Sequence, residues 1–509
     1  MGSEAHNGGG CSPEVFQPRG AQEIDGERII SVALRFFNTL SREKEEFTPL
    51  SQGTVRMYTC GPTVYNYAHI GNYRTYAFED LLRRYLKFKG FRVVQVMNIT
   101  DIDDKTIRDS QAEGISLAEF TGRYTEAFFQ DLDSLFMERA EHYPRATEHV
   151  PEMVAIIEDL MQKGYAYKGE DQCIYYDISK FKDYGNLAHM VVEDLKIGAR
   201  VAHDEYEKEH AGDFALWKAW DEQDGPVFWE TSLGKGRPGW HIECSAMSMK
   251  YLGGSFDIHT GGVDNIFPHH QNEIAQSEAH TGCPFVRYWL HAEHLIVDGR
   301  KMSKSLGNTY TLREVREQGF SPLALRYLYI SSHYRSRVNY TQESMEASEK
   351  ALVRLRDFLV RLSDISKGGP PSKEIEGLTK ARNDSFAEAM DDDLNSPQAV
   401  AVLFELVREV NTDIDKELLT REDASRVRDL IFSWDNVLGL QLSRVAPSDE
   451  MLPHEIEALM EKRKEARRRR DWNEADAIRD ELKKRGVLLE DGPAGTRWKK
   501  AEPTLVDNK

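Results

Sequence analysis

What this chain lacks narrows its possibilities before any motif is read. No run among its 509 residues approaches the roughly 18 apolar side chains that a bilayer-crossing helix needs, so no membrane span is expected. Cysteine is scarce: the five, at 11, 60, 173, 244 and 283, are odd in number and widely scattered. That argues against a disulfide framework and for a reducing compartment. Residues 1–28 have little apolar content and include Gly8-Gly9-Gly10, so they read as a flexible tail without the core of a secretory signal. Glu4, Glu14, Glu23 and Asp25 fit a transit peptide poorly, and His6 stands where a myristoylation signal has Ser or Thr. A cytosolic location is the expectation. Positive charge is also short, at −19 net, which at first argues against a nucleic-acid partner. The deficit is uneven, however. Residues 451–509 carry 15 Lys and Arg against 13 Asp and Glu, and Lys462, Arg463, Lys464 and Arg467 to Arg470 place seven cations in nine positions. RNA affinity follows local phosphate neutralisation, so this run is either a phosphate contact or a solvated helix face.

What is present is soluble-protein composition, 40% hydrophobic and 30% charged, in a chain too long for one core. Val55 to Tyr58 alternates like a strand and breaks at Gly61-Pro62. A helix follows Gly71, with Phe78, Leu81, Leu82, Tyr85 and Leu86 on one face and Gly90 at its end, before a β-branched strand at Arg92 to Val96. This βαβ pattern predicts a parallel sheet with ligands at the strand ends. It resumes with a strand at Phe256 to His259, a turn at Thr260-Gly261-Gly262, a helix at Pro268 to Ala279 and a strand at Val286 to Leu290. Leu295 to Val297 followed by Asp298-Gly299 reads as a hairpin delivering the next loop. Beyond Ser321-Pro322 the chain turns helical, at 341–366, 373–391, 397–415 and 420–437, with a linker at Gly368-Gly369-Pro370-Pro371. Pro453 to Arg485 reads as a charged helical stretch, and Gly492 to Trp498 as turn-rich. The fold class expected is α/β: a split Rossmann-type parallel sheet with an inserted domain, then a helical bundle and a small C-terminal domain. The divisions are 1–28 (tail), 29–124 and 238–295 (catalytic halves), 125–237 (insertion), 296–340 (mobile-loop subdomain), 341–445 (bundle) and 446–509.

Two short segments carry chemistry. His69-Ile70-Gly71-Asn72 precedes a helix, and Lys301-Met302-Ser303-Lys304-Ser305 follows a hairpin. Each alone is weak, but together, in this order and setting, they resemble the signature pair of class I aminoacyl-tRNA synthetases. Forming an adenylate asks a protein to position a carboxylate against the α-phosphate of ATP and to stabilise charge on oxygen. His69 and Asn72 can offer donors where a helix N-terminus also favours anions. Lys301 and Lys304 can neutralise the outer phosphates, on a loop that Ser303, Ser305 and Gly307 leave able to close. The family's usual fourth residue is His; the amide of Asn72 donates a hydrogen bond but carries no titrating proton.

Longer blocks narrow the resemblance. Tyr58-Thr-Cys-Gly-Pro-Thr-Val-Tyr65, Asn98-Ile-Thr-Asp-Ile-Asp-Asp-Lys105, Gly239-Trp-His-Ile-Glu-Cys-Ser-Ala-Met247, Phe256-Asp-Ile-His-Thr-Gly-Gly262 and Phe267-Pro-His-His-Gln-Asn-Glu-Ile-Ala-Gln276 are similar to the cysteinyl-tRNA synthetase family, in its eukaryotic cytosolic type. The resemblance implies one zinc ion held by Cys60, Cys244, His269 and Glu273, which spacing alone would not reveal. His269 and Glu273 do stand at i and i+4 of one expected helix, and all four residue types bind zinc. It further implies a cysteine pocket of Gly61, Thr63, Trp240 and Asp264, and ATP, accompanied by Mg2+, held by His69, Asn72, His259, Lys301 and Lys304. His259 would contact the adenylate, or else be a core histidine. Asp101, Asp103 and Asp104 suit helix capping better than magnesium binding. Discrimination of cysteine from serine would rest on the metal's preference for a thiolate, so no editing domain is needed.

The implied partner is tRNA-Cys, read by the C-terminal segments around Arg470 to Asp476 and Leu489 to Trp498. Arg467 and Arg470 would meet phosphates, Trp472 and Trp498 would stack on bases, and Asp476 or Asp491 would accept from base amino groups. A core position is an equal reading of Trp472. A cysteine ligase acting on a non-RNA amine would share the nucleotide and zinc segments but has no use for 451–509. The oligomeric state, monomer or homodimer, stays open.

Overall fold

A computed structural model describes residues 33–190, 212–303, 306–444, 454–485, 487–492 and 495–500. The 1–28 tail, part of the insertion, and Lys304 and Ser305 therefore lie outside the described residues. At the centre is a four-stranded parallel sheet, in the order Val286–Ala292, Phe256–Gly262, Thr54–Thr59, Arg92–Met97. One crossover runs from Thr54–Thr59 through the helix Ile70–Phe88 to Arg92–Met97. The other runs from Phe256–Gly262 through the helix Gln271–Thr281 to Val286–Ala292. The two diverge from the central strand pair, so the carboxyl ends of Thr54–Thr59 and Phe256–Gly262 flank a topological switch point, where such sheets open a crevice. The expected turn at Thr260-Gly261-Gly262 is instead the last part of a strand, because Gly261 and Gly262 pair in register with His291 and Ala292.

The helix Ile70–Phe88 buries Phe78, Leu81, Leu82, Tyr85 and Leu86, each contributing about 1.5–3 kcal/mol by leaving water. It ends at Lys89, and Gly90 supplies the positive φ of 88° that stops it. The insertion carries an antiparallel sheet ordered Ala166–Lys168, Ile174–Tyr176, Phe214–Ala219, Gly234–Pro238, Trp229–Thr231. Its core, including Tyr176, Trp217 and Ile157, is continuous with Ile242, Cys244 and Ala275 beneath the central sheet. The division at 124/125 falls inside one helix, Leu117–Ser134, since Phe120, Phe128 and Leu132 lie buried along a common face.

Asp298 and Gly299, both at positive φ, turn the hairpin from Leu295–Val297 to Arg300–Lys301. The short helix Leu312–Glu317 and five longer ones follow, Pro322–Ile330, Gln342–Ser363, Lys373–Asp391, Ser396–Asp415 and Arg421–Leu438, each opened by a Ser, Thr or Asn cap. Arg326 fastens them to the catalytic half. It is fully buried, pairs with Asp80 on Ile70–Phe88, and donates to the carbonyls of Leu438 and Leu135. The C-terminal part is two helices, His454–Arg468 and Trp472–Lys484, split at Arg470, whose φ is +62°. The stretch read as turn-rich belongs to an antiparallel pair of strands, Val487–Gly492 and Gly495–Lys500.

Removing one member of a buried pair leaves uncompensated charge at a cost of about 3–5 kcal/mol. Arg326→Met should sit near the low end, because Asp80 keeps Arg84 at 2.8 Å. A thermal midpoint lowered by several degrees is the expected result of melting the variant beside the parent chain.

Candidate active site and metal centre

The crevice at the switch point is a cavity of about 370 Å³, lined by Cys60, Gly61, His69, Asn72, Asp264 and Lys301 among others. The two nucleotide segments thus converge on one space. His69 is the N-cap of Ile70–Phe88. Its Nδ1 accepts from Asn72 N at 3.2 Å, while Asn72 Oδ1 accepts from His69 N at 3.1 Å. This reciprocal box fixes both side chains: in the neutral ring the His69 proton sits on Nε2, and the Asn72 amide keeps its NH2 as a donor. Lys301 reaches the same cavity from the hairpin. Thr311, beyond the loop, bridges back to His69, and Ile70 N donates to Tyr310 O at 2.8 Å, so both segments share a backbone seam.

Gly61 is required by close approach. A Cβ there would stand 1.7 Å from the Asn98 carbonyl oxygen, while its N–H donates to Asn98 Oδ1 at 2.8 Å. Asp264, in the turn Val263–Asn265, is exposed at the cavity. Thr63 and Trp240 do not line the cavity. Thr63 bridges to Thr100, and Trp240 stacks on His269 with ring centroids 4.1 Å apart.

Beneath the cavity, the ligand atoms of Cys60, Cys244, His269 and Glu273 all lie within 4.8 Å of one another. The 184 positions between the cysteines are closed by the fold: Cys60 directly follows the strand Thr54–Thr59, and Cys244 rides the helix Trp240–Leu252 packed against that strand. Cys60, His259, His270 and Glu273 form a second such group. Hydrogen bonding distinguishes the two. Glu273 Oε2 is held by His259 Nε2 at 2.9 Å. Glu273 Oε1 is buried, lies 3.1 Å from His269 Nε2, and takes part in no hydrogen bond. A carboxylate with one oxygen anchored and the other orphaned beside an imidazole nitrogen and two buried thiols fits a metal ligand with a supporting histidine. His259 therefore belongs under the carboxylate, fully buried, and does not line the nucleotide cavity.

Burial sets the protonation of this group. It pushes both thiols up, with each cysteine acting on the other, and lowers His269 to about 3. The imidazole is thus already in its ligating form, while the thiols need a cation to become thiolates. Further histidines, with no role expected from the sequence, belong to the same cluster. His241 Nδ1 lies 2.9 Å from His269 Nδ1. His270 Nε2 lies 3.3 Å from Cys60 Sγ, and its Nδ1 meets His291 Nε2 at 2.8 Å. The doublet His269-His270 was the one local signal available.

Asp103 does cap the helix Asp104–Glu113, by accepting from Thr106 N. Asp101 accepts from Thr147 N and Oγ1. Burial would raise Asp104, but Lys218 and Arg237 draw it down to about 2. In the C-terminal part, Trp472 is 58% exposed, which removes the core reading, and Asp476 and Arg470 are exposed beside it. Arg463 is buried, and Lys464, Arg468 and Arg469 pair with Glu461, Glu465 and Glu474, so the cation run is partly a self-neutralised helix face. Asp491 and Trp498 stand on the hairpin opposite Thr496 and Leu489.

Comparison with known proteins bears on all of these parts. The family of class I (C) tRNA synthetase catalytic domains matches residues 46–350, a DALR domain matches 385–443, and a cysteinyl-tRNA ligase anticodon-binding domain matches 449–498. A cysteine–tRNA ligase of Protochlamydia amoebophila is 48% identical over 473 residues, covering 92% of this chain and 98% of that protein. One of Chlamydia felis is 49% identical over 470 residues, covering 92% and 98%. In fold, a Mycobacterium tuberculosis methionyl-tRNA synthetase with methionyl-adenylate superposes with a TM-score of 0.58 at 13% identity, over 78% of this chain and 95% of that one.

Glu79, buried below the cavity and accepting from Thr260 Oγ1 at 2.7 Å, is raised by burial to about 8. Its folded state therefore holds a proton that the unfolded chain loses near pH 4.5, and stability falls as pH rises from about 4.5 to 8. In chelator-treated protein, urea midpoints should show Glu79→Gln gaining on the parent chain through that window, by a few kcal/mol at most, and levelling above it.

Proposed function

Since the chain belongs to the cysteinyl-tRNA synthetase family, ATP-using ligases that join cysteine to tRNA, we propose that Cys60, Cys244, His269 and Glu273 hold the zinc ion that selects its amino acid. The orphaned Glu273 Oε1, facing His269 Nε2 and two buried thiols, carries this reading. When bound, zinc favours a thiolate, which cysteine can supply and serine cannot. The chain's own residues do the remaining work. Asp264, exposed at the cavity, receives the substrate ammonium. Gly61, whose missing side chain lets the backbone come close, shapes the pocket floor. Trp240 and Thr63 act from behind, Trp240 by holding the His269 ring and Thr63 by tying its loop to Thr100.

The substrate carboxylate attacks the α-phosphorus of ATP, forming cysteinyl-adenylate and releasing pyrophosphate. His69 Nε2–H and the Asn72 amide donate to phosphate oxygens, and Lys301, with Lys304, neutralises the outer phosphates. Magnesium enters with ATP; Asp101, Asp103 and Asp104 are committed to Thr147, Thr106 and the Lys218–Arg237 pair. A ribose hydroxyl of the tRNA then displaces AMP. Recognition of tRNA-Cys falls to the C-terminal part, with exposed Trp472 as a stacking surface, Trp498 as a second, Arg467 and Arg470 at phosphates, and Asp476 and Asp491 toward base edges. A non-RNA acceptor is not favoured, because the chain carries an anticodon-binding domain. Cys60, Cys173 and Cys244 are free thiols, but Cys283 is disulfide-bonded, which corrects the expectation of a chain without disulfides; the cytosolic setting proposed here rests on residues 1–28 rather than on cysteine usage.

Cysteine-dependent exchange of pyrophosphate into ATP tests the activation step and should collapse on zinc chelation or in Cys244→Ser. Serine should support exchange at least about 10⁴-fold less well; equal exchange with serine would sink the metal-selection reading. Removing residues 451–509 should spare exchange yet lower tRNA charging by orders of magnitude, and undiminished charging would refute the anticodon assignment.

A further inference from the structure

A row of rings and cations runs outward from the nucleotide site and has no part in the activation chemistry. Tyr67 lies two residues before His69, and Arg313 two residues beyond Thr311, on the two sides of the His69–Thr311 bridge. The Arg313 guanidinium sits 4.2 Å from the Tyr67 ring centroid. Tyr67 meets Tyr124, on the helix Leu117–Ser134, edge to face at 5.2 Å, and Arg123 covers the Tyr124 ring at 4.9 Å. Both tyrosines are only half-buried. Arg123 is neutralised in part by Glu113 at 2.8 Å, whereas the exposed Arg313 has no ion pair among the described residues. Alternating exposed cations and π faces are the surface on which unpaired nucleotides stack, and every base has a face to offer.

We propose that Tyr67, Tyr124 and Arg313 form a stacking ladder that takes the unpaired 3′ end of tRNA and aims its terminal ribose at the adenylate. This rests on the tRNA-ligation reading above. The occupant follows from continuity and charge: the ladder joins the cavity at His69, where the tRNA hydroxyl must arrive, and Arg313 supplies a phosphate or π contact. Tyr67, Tyr124 and Arg313 are positioning residues, acting after activation.

The test compares transfer of cysteine from preformed adenylate to tRNA, in single turnover, with pyrophosphate exchange in the same protein. Tyr124→Ala, Tyr67→Ala and Arg313→Ala should lower the ratio of transfer to exchange about tenfold or more, the scale of losing one stacked base. Tyr124→Phe and Tyr67→Phe, which keep the ring, should restore it. An unchanged ratio in the alanine variants, or Phe variants as impaired as Ala, overturns the ladder. Binding gives an independent readout: removing the unpaired 3′ nucleotides should weaken tRNA binding to the parent chain but not to Tyr124→Ala. Equal losses in both would overturn the proposal. Absence of exchange in the parent chain would instead strike the activation reading, and the binding comparison would still decide the ladder.

Discussion

Four ligand-bearing side chains are held out of water below the carboxyl ends of two parallel strands, and much of the catalytic half is arranged around that burial. Two thiols, an imidazole and a carboxylate in an apolar interior are costly unless each is paired or bound to a cation. The chain meets this with a shell of support: His259 on one oxygen of Glu273, His241 and Trp240 on the His269 ring, and His270 beside Cys60. The insertion has no wholly separate core here. Its apolar side chains merge with those around Cys244 and Ala275, so the same packing that folds the insertion keeps the thiols dry.

The nucleotide end is built on a different principle. It sits at a helix terminus open to the cavity, and its residues are held by a capping box rather than by burial. Asn72 suits that design. As a neutral amide it completes the box with its carbonyl and still presents a donor, which a titrating side chain would do only in part of the pH range. On the function proposed above, selection of the amino acid and handling of ATP fall to two environments, one dry and one wet, that meet at Cys60 and Gly61.

The helix Ile70–Phe88 links these parts to the rest of the chain. It begins at the nucleotide donors and carries Asp80, whose carboxylate meets Arg326 from the helical region. Arg326 is therefore a structural clamp: a buried guanidinium that satisfies one carboxylate and two backbone carbonyls at once. Gly439 permits it, since a Cβ there would stand 2.3 Å from the Arg326 side chain.

The local elements, and the chemistry they imply, were legible in the order of residues alone. The βαβ periodicity, the Asp298-Gly299 turn, the helix start at Ser321-Pro322 and the two nucleotide segments are short-range features, set within a few residues of the backbone they shape. Resemblance to a known family then brought together ligands that spacing could not. Other features were beyond local reading because their partners are remote. Gly261 and Gly262 look like a turn until strand pairing with His291 and Ala292 extends them. The cation run looks open until Glu461, Glu465 and Glu474 fold back on it. His259 looks like a nucleotide contact until the helix carrying Glu273 packs over it. Which oxygen of Glu273 stays without a hydrogen bond is a matter of tertiary structure, because it depends on side chains from three separate stretches meeting in one dry volume.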